Sequence, residues 1–223
     1  DDIKFEIDEV IKDDLFKGRG ELIDQLTTHY LSHQRKQTYM VYGMTRHGKT
    51  SLTHHLSKSL LDSDNMATRN HGELKIIPFY DDYMWNFGEA ALEHSARELW
   101  RYLVRDTIIQ GIENYVKKGT ISKDILNDPT FKKINDYNIE RYKARFLTDI
   151  CSLLIEYGYF AFIVVDEFSY FKQMVEQELI NEGFLQALRN LTIGKQLCSF
   201  IFSGTFESAE ILKDYAITSQ LAN

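Results

Sequence analysis

Gln37-Thr38-Tyr39-Met40-Val41-Tyr42-Gly43-Met44-Thr45-Arg46-His47-Gly48-Lys49-Thr50-Ser51-Leu52 is the stretch that decides the fold. Its first six residues are a short apolar run rich in β-formers. From Lys49 to Leu61 the pattern becomes helical, with Leu52, Leu56 and Leu60 on one stripe. Between the two, residues 43–50 match GxxxxGK(S/T) without a departure. Strand, glycine-flanked loop and amphipathic helix follow in the order that a phosphate-cradling loop requires.

Each fixed position has a chemical reason. Gly43 and Gly48 let the backbone wrap closely, so that N–H groups across Met44, Thr45, Arg46 and His47 turn inward to phosphate oxygens. The helix beginning at Lys49 adds its positive N-terminal end. The Lys49 ammonium reaches β- and γ-phosphates, the Thr50 hydroxyl suits Mg²⁺, and Ser51 adds a hydroxyl near the α-phosphate. His47 lies inside the loop, where many residue types are tolerated.

Downstream, Tyr159-Phe160-Ala161-Phe162-Ile163-Val164-Val165, after Gly158, is a continuous apolar run, the signature of a strand buried on both faces. It ends in Asp166-Glu167. In an open parallel sheet, ligands sit outside the carboxyl ends of the strands, so this acidic pair is predicted to share a rim with the phosphate loop. Asp166 suits a metal-side role and Glu167 suits activation of an attacking water. The alternative is an Asp-Glu pair that caps the next helix. Ser199-Phe200-Ile201-Phe202-Ser203-Gly204-Thr205 repeats the pattern. Its Ser203 and Thr205 offer hydroxyls for sensing a γ-phosphate, or form only a turn.

Working outward, residues 20–34 read as a helix with Leu22, Ile23, Leu26 and Tyr30 at helical spacing. Residues 74–80 read as a strand that Pro78 places near an edge or at a strand end. Helices are predicted over about 89–117, 139–157, 176–193 and 207–215, with a polar, turn-rich connection at 118–138. Residues 1–12 alternate enough for an edge strand or an extended arm. Strands alternating with helices imply a three-layer α/β/α sandwich around a mostly parallel sheet.

Composition agrees with one such domain. The chain has 223 residues, 43% of them hydrophobic, so a sizeable core is within reach. A net charge of −7 disfavours a surface built mainly for nucleic-acid backbone. No long apolar run predicts a membrane span. The two cysteines, Cys151 and Cys198, sit in apolar runs without CxxC spacing and read as buried free thiols in a reducing, cytoplasmic compartment. His54 and His55 are adjacent on a helix, hence about 100° apart, and make a poor metal pair. Trp85, Tyr80 and Tyr83 read as core or, less readily, as a surface that meets another domain.

Leu15-Phe16-Lys17-Gly18-Arg19-Gly20-Glu21-Leu22 adds an apolar plate at Phe16, a turn at Gly18 and a cation at Arg19. Read alone, it serves equally as a base cover or as a helix-starting turn. Taken with Val41-Tyr42-Gly43 through Leu52, Val164-Val165-Asp166-Glu167-Phe168, Phe184-Leu185-x-Ala187-Leu188-Arg189-Asn190-Leu191 and Ile201-Phe202-Ser203-Gly204-Thr205, it resembles a STAND-type P-loop NTPase. That group is related to AAA+ and origin-recognition ATPases, and the resemblance covers about residues 14–215.

The resemblance implies ATP as the nucleotide, with Gly18 and Arg19 near the base. It further implies a switch that couples Mg-ATP to homo-oligomerisation and to other domains of the same protein. One core domain is expected, with the Gly-Arg box at 14–22 and a helical insertion at about 89–157. The chain begins at Asp1 and stops at Asn223, where a further strand and a helical lid are expected, so a fragment is anticipated. Residues 205–223 contain no Arg to act as an arginine finger, which favours a switch over a ring motor. Arg189 is a substitute only if it is not simply solvated. The competing readings are a DNA-associated AAA+ ATPase and a scaffold that binds nucleotide without hydrolysing it.

Overall fold

The fold follows from which strands can be buried on both faces. The computed structural model describes residues 20–32, 38–42, 48–62, 66–68, 72–80, 96–137, 144–166, 171–178, 180, 182–207 and 209–210. Five strands form one sheet: β1 (Tyr39–Tyr42), β2 (Met66–Thr68), β3 (Gly72–Tyr80), β4 (Tyr159–Val165) and β5 (Cys198–Gly204). Their order is β1-β5-β4-β3-β2. All pairings are parallel except β2 with β3, a short hairpin at one end that the sequence pattern does not announce. β4 and β5 lie inside the sheet and are buried along almost their whole length, as their unbroken apolar runs predict.

Side-chain alternation divides the core into two layers. Tyr39, Ile76, Phe162, Val164 and Ile201 face the helices α1 (Gly20–Ser32) and α2 (Lys49–Asp62), meeting Ile23, Tyr30, Leu52, Leu56 and Leu60. Ile77, Phe79, Ala161, Ile163, Val165, Phe200 and Phe202 face the opposite layer. That layer holds α3 (Ala96–Arg101), a π-helical segment (Tyr102–Ile109), α4 (Gln110–Lys117), α5 (Pro129–Asn135), α6 (Ala144–Glu156), α7 (Phe171–Glu176) and α8 (Glu182–Arg189). The arrangement is the expected three-layer α/β/α sandwich. Burying each of Leu56 and Leu60 contributes roughly 1.5–3 kcal/mol. Thr27 of α1 donates to Ser59 Oγ of α2 at 3.0 Å, tying the two helices together.

Pro78 sits where a strand tolerates it. β2 pairs only with Gly72–Leu74, so Pro78 lies beyond its reach, on the open side of β3. Its carbonyl accepts from Tyr115 Oη at 2.6 Å instead of from a strand.

Three local features differ from the sequence reading. Residues 118–137 are more structured than their polarity implies. Ser122 and Asp128 cap a 3₁₀ turn (Lys123–Asn127) and α5, with Pro129 in the first turn, and Ile121, Ile125, Phe131 and Ile134 are buried. The helix predicted over 176–193 starts only at Glu182 as α8; a separate α7 ends at Glu176, and Glu178 adopts φ 59° after it. After α8 the chain widens into a second π turn, Asn190–Gly194. The edge strand or arm predicted over 1–12, the first part (89–95) of the helix predicted over 89–117, and most of the helix predicted over 207–215 fall on residues outside those described.

Gly111 marks a close approach of α4 to the sheet. A Cβ there would stand 2.6 Å from Cδ1 of the buried Phe79 ring. We expect Gly111→Ala to destabilise the protein by about 1–3 kcal/mol despite its better helix propensity. Urea unfolding measures this, and an unchanged or higher midpoint would show that the ring shifts freely.

Both cysteines are buried and free. They come from α6 and β5 yet meet. The hydrogen bond between the two thiols first, and burial second, push the Cys198 thiol well above its ordinary range.

Candidate functional site

The parallel strands β1, β5, β4 and β3 carry their carboxyl ends to one rim, with Tyr42 level with Gly204, Val165 with Phe202 and Tyr80 with Val164. The register brings residues far apart in sequence onto that rim. Val165 faces the α3–α8 layer, so the next residue, Asp166, turns toward α2. Ser203, following Phe202, does the same, and Tyr80 packs with the α1–α2 core. α2 begins at Lys49 on this side. Asp166, Ser203, Tyr80 and the start of α2 therefore share one face at one end of the sheet.

Asp166 is 2% exposed, an ionisable group at nearly full burial. Such a carboxylate requires hydrogen-bond donors. Ser203 Oγ donates to Oδ1 and Tyr80 Oη donates to Oδ2 at 3.2 Å. The two donors come from the strands on either side of β4, so they grip opposite oxygens. The Ser203 hydroxyl thus meets the carboxylate and is itself fully buried.

The Tyr80 ring also packs against His54 of α2, with centroids 5.2 Å apart at 44°. His54 is one helical turn beyond Thr50, on the same helix face. Tyr80 therefore touches Asp166 at the acidic end of β4 on one side and, on the other, His54 of the helix that carries Thr50. His54 is exposed, in keeping with a surface position.

The helix start has the geometry of a tight loop exit. Gly48 has φ 71°, a conformation suited to glycine, and its carbonyl accepts from Leu52 N at 3.0 Å. Lys49 and Thr50 are half-buried, and Ser51 is buried. Thr53 Oγ1 donates to Thr50 O at 2.9 Å, and Ser57 Oγ to Thr53 O at 2.7 Å. These bonds satisfy hydroxyls on the buried face of α2 that would otherwise cost stability.

The structure thus describes Gly48, Lys49, Thr50, Ser51, Asp166 and Ser203 among the sequence-predicted site residues. Gly43, Met44, Thr45, Arg46, His47, Glu167, Phe16, Gly18 and Arg19 lie outside the described residues. Arg189 is exposed at the end of α8. Tyr80 is the site residue that sequence reading missed. Its signal was its place at the carboxyl end of a predicted strand, the same signal that marked Asp166.

The donor set suits a hard divalent cation. A buried carboxylate and a threonine hydroxyl supply oxygen, and the described residues hold no cluster of three or more His, Cys, Asp or Glu that would form a protein-only cage. A separate cleft of about 390 Å³ includes Arg145, Thr148, Asn190 and Lys195, and none of the predicted site residues. Among the described residues no helix is long and apolar enough to cross a membrane.

No protein-family model matches the chain, and no curated protein matches it. Among solved structures, it is similar to the structure of the ORC2 protein of Aeropyrum pernix in its ADPNP and ADP complexes. The TM-score is 0.53 with 14% identity, over 92% of this chain and 47% of that one. The chain spans about half the length of that protein. At this identity the likeness is one of fold.

Proposed function

We propose that this chain is the ATP-binding and ATP-hydrolysing module of a STAND-type switch, acting on Mg-ATP at the rim formed by residues 43–51, Asp166 and Ser203. The observation that carries the reading is the buried Asp166, clamped by two strands and facing the start of α2. An acidic group held there at nearly full burial has a use beside a phosphate-bound cation and little structural advantage otherwise.

In this reading the N–H groups of Gly43 to Gly48 and the N-terminal end of α2 hold the phosphates. Lys49 supplies positive charge to the β- and γ-phosphates. Thr50 and Asp166 would hold Mg²⁺, which when bound neutralises developing phosphate charge. Glu167 orients the attacking water and takes its proton. Phe16, Gly18 and Arg19 contribute on the base side. ATP as the nucleotide agrees with the ADPNP and ADP complexes of the ORC2 protein that shares this fold. Coupling to oligomerisation and to further domains follows from the STAND resemblance, and a cytoplasmic setting from the two buried free thiols.

The direct test is calorimetric titration of the purified chain with ADPNP and Mg²⁺, followed by phosphate release from ATP. Saturable micromolar binding with slow turnover is expected. An absence of binding at millimolar ADPNP would refute the assignment.

A second reading, a DNA-associated AAA+ ATPase, draws on the origin-recognition side of the resemblance and on the ORC2 fold likeness. The net charge of −7 opposes it. Duplex binding that weakens steeply between 50 and 200 mM salt would shift the assignment to it; we expect none from this chain.

A further inference from the structure

We infer that Tyr80 is a positioning residue for the metal-side carboxylate of Asp166, and that it ties this carboxylate to the Thr50 face of α2. The inference rests on the Mg-ATP reading above and names a residue that reading does not use.

Three observations converge on Tyr80. Its hydroxyl donates to Asp166 Oδ2 at 3.2 Å, while Ser203 donates to the other oxygen. Its ring packs on His54, one turn beyond Thr50. It is half-buried at the open end of β3, not sealed in the core. Packing alone needs only an aromatic ring, and phenylalanine would supply it. The hydroxyl adds something different. A carboxylate held by one donor can rotate about its Cβ–Cγ bond, whereas one gripped from the two flanking strands presents its remaining lone pairs in a fixed direction. Because the donor is anchored to α2 through His54, that direction is set relative to Thr50. Tyr80 thus determines how the two oxygen donors face each other across the site.

Such supporting hydrogen bonds act on metal affinity more than on the phosphate cradle, and their loss lowers metal affinity by about 10–100-fold in known sites. The test compares the parent chain with Tyr80→Phe. Mn²⁺ is titrated into the protein–ADPNP complex and followed by electron paramagnetic resonance. ADPNP affinity is measured separately in EDTA. We expect the Mn²⁺ Kd to rise roughly tenfold, with metal-free ADPNP affinity unchanged within about twofold. In an Asp166→Asn background, Tyr80→Phe should weaken Mn²⁺ binding no further, since the hydroxyl acts through the carboxylate.

An unchanged Mn²⁺ Kd in Tyr80→Phe would overturn the inference. So would a parallel fall in metal-free ADPNP affinity, which marks a merely structural role, or a full tenfold loss persisting in the Asp166→Asn background. A parent chain that binds no ADPNP in EDTA, and none with Mn²⁺, is a different failure. It removes the nucleotide reading itself, and the inference with it.

Discussion

Lys49→Ala is expected to raise the Kd for ATP by about 100-fold or more, roughly a third of the binding energy of a micromolar complex at a single side chain. The ammonium would bridge two phosphates by charge-assisted hydrogen bonds, each contributing about 1.5–3 kcal/mol. Losing two therefore costs about 3 kcal/mol or more, which at 1.4 kcal/mol per decade is the stated factor. Lys49 is half-buried and is the first residue of α2, so removing it leaves the Leu52, Leu56 and Leu60 stripe in place. The variant should unfold near the parent midpoint. Calorimetry on the folded variant measures the loss. Unchanged ATP affinity would mean that the loop at 43–50 does not hold the phosphates.

Glu167→Gln should lower kcat by about 100–1,000-fold while leaving the Kd for ATP within about threefold. Glutamine keeps the shape and a hydrogen bond to water but takes no proton. Its neighbour Asp166 is fixed to the rim by Tyr80 and Ser203, so the chain leaves that point at the site whichever residue follows. Tight binding with slow turnover is the signature of a residue acting in the transition state alone. Phosphate release measured at saturating ATP gives the ratio. A variant that hydrolyses as fast as the parent would assign the water to another group.

How much of this was legible beforehand depended on whether the signal was local. β4 was predicted with its bounds, because seven consecutive apolar residues between Gly158 and Asp166 have no other comfortable place than a strand buried on both faces. Gly158, with φ 84°, ends α6 as its position before that run implied. α2 followed from its leucine stripe. The β2–β3 hairpin was invisible, since Met66–Thr68 is too short to show alternation. α7 (Phe171–Glu176) was not predicted and the next helix was started too early, at 176, because the turn at Glu178 is a backbone angle with no compositional mark. Tyr80 was read as core for a similar reason. A tyrosine at a strand end has the same local pattern whether its hydroxyl meets bulk water or a carboxylate 86 residues away.

By itself, then, the sequence determined the phosphate-loop spacing, the strands and helices around it and the identity of the acidic residue after β4. All of these follow from short-range backbone preferences and the period of apolar residues. Only the tertiary structure decided that β5 lies between β1 and β4, and that Ser203 and Tyr80 grip Asp166 from opposite sides while Tyr80 rests on His54. It also decided that Cys151 meets Cys198. These depend on strand order and register. Those are set by how whole elements pack, because a shift of one residue turns every side chain to the other face.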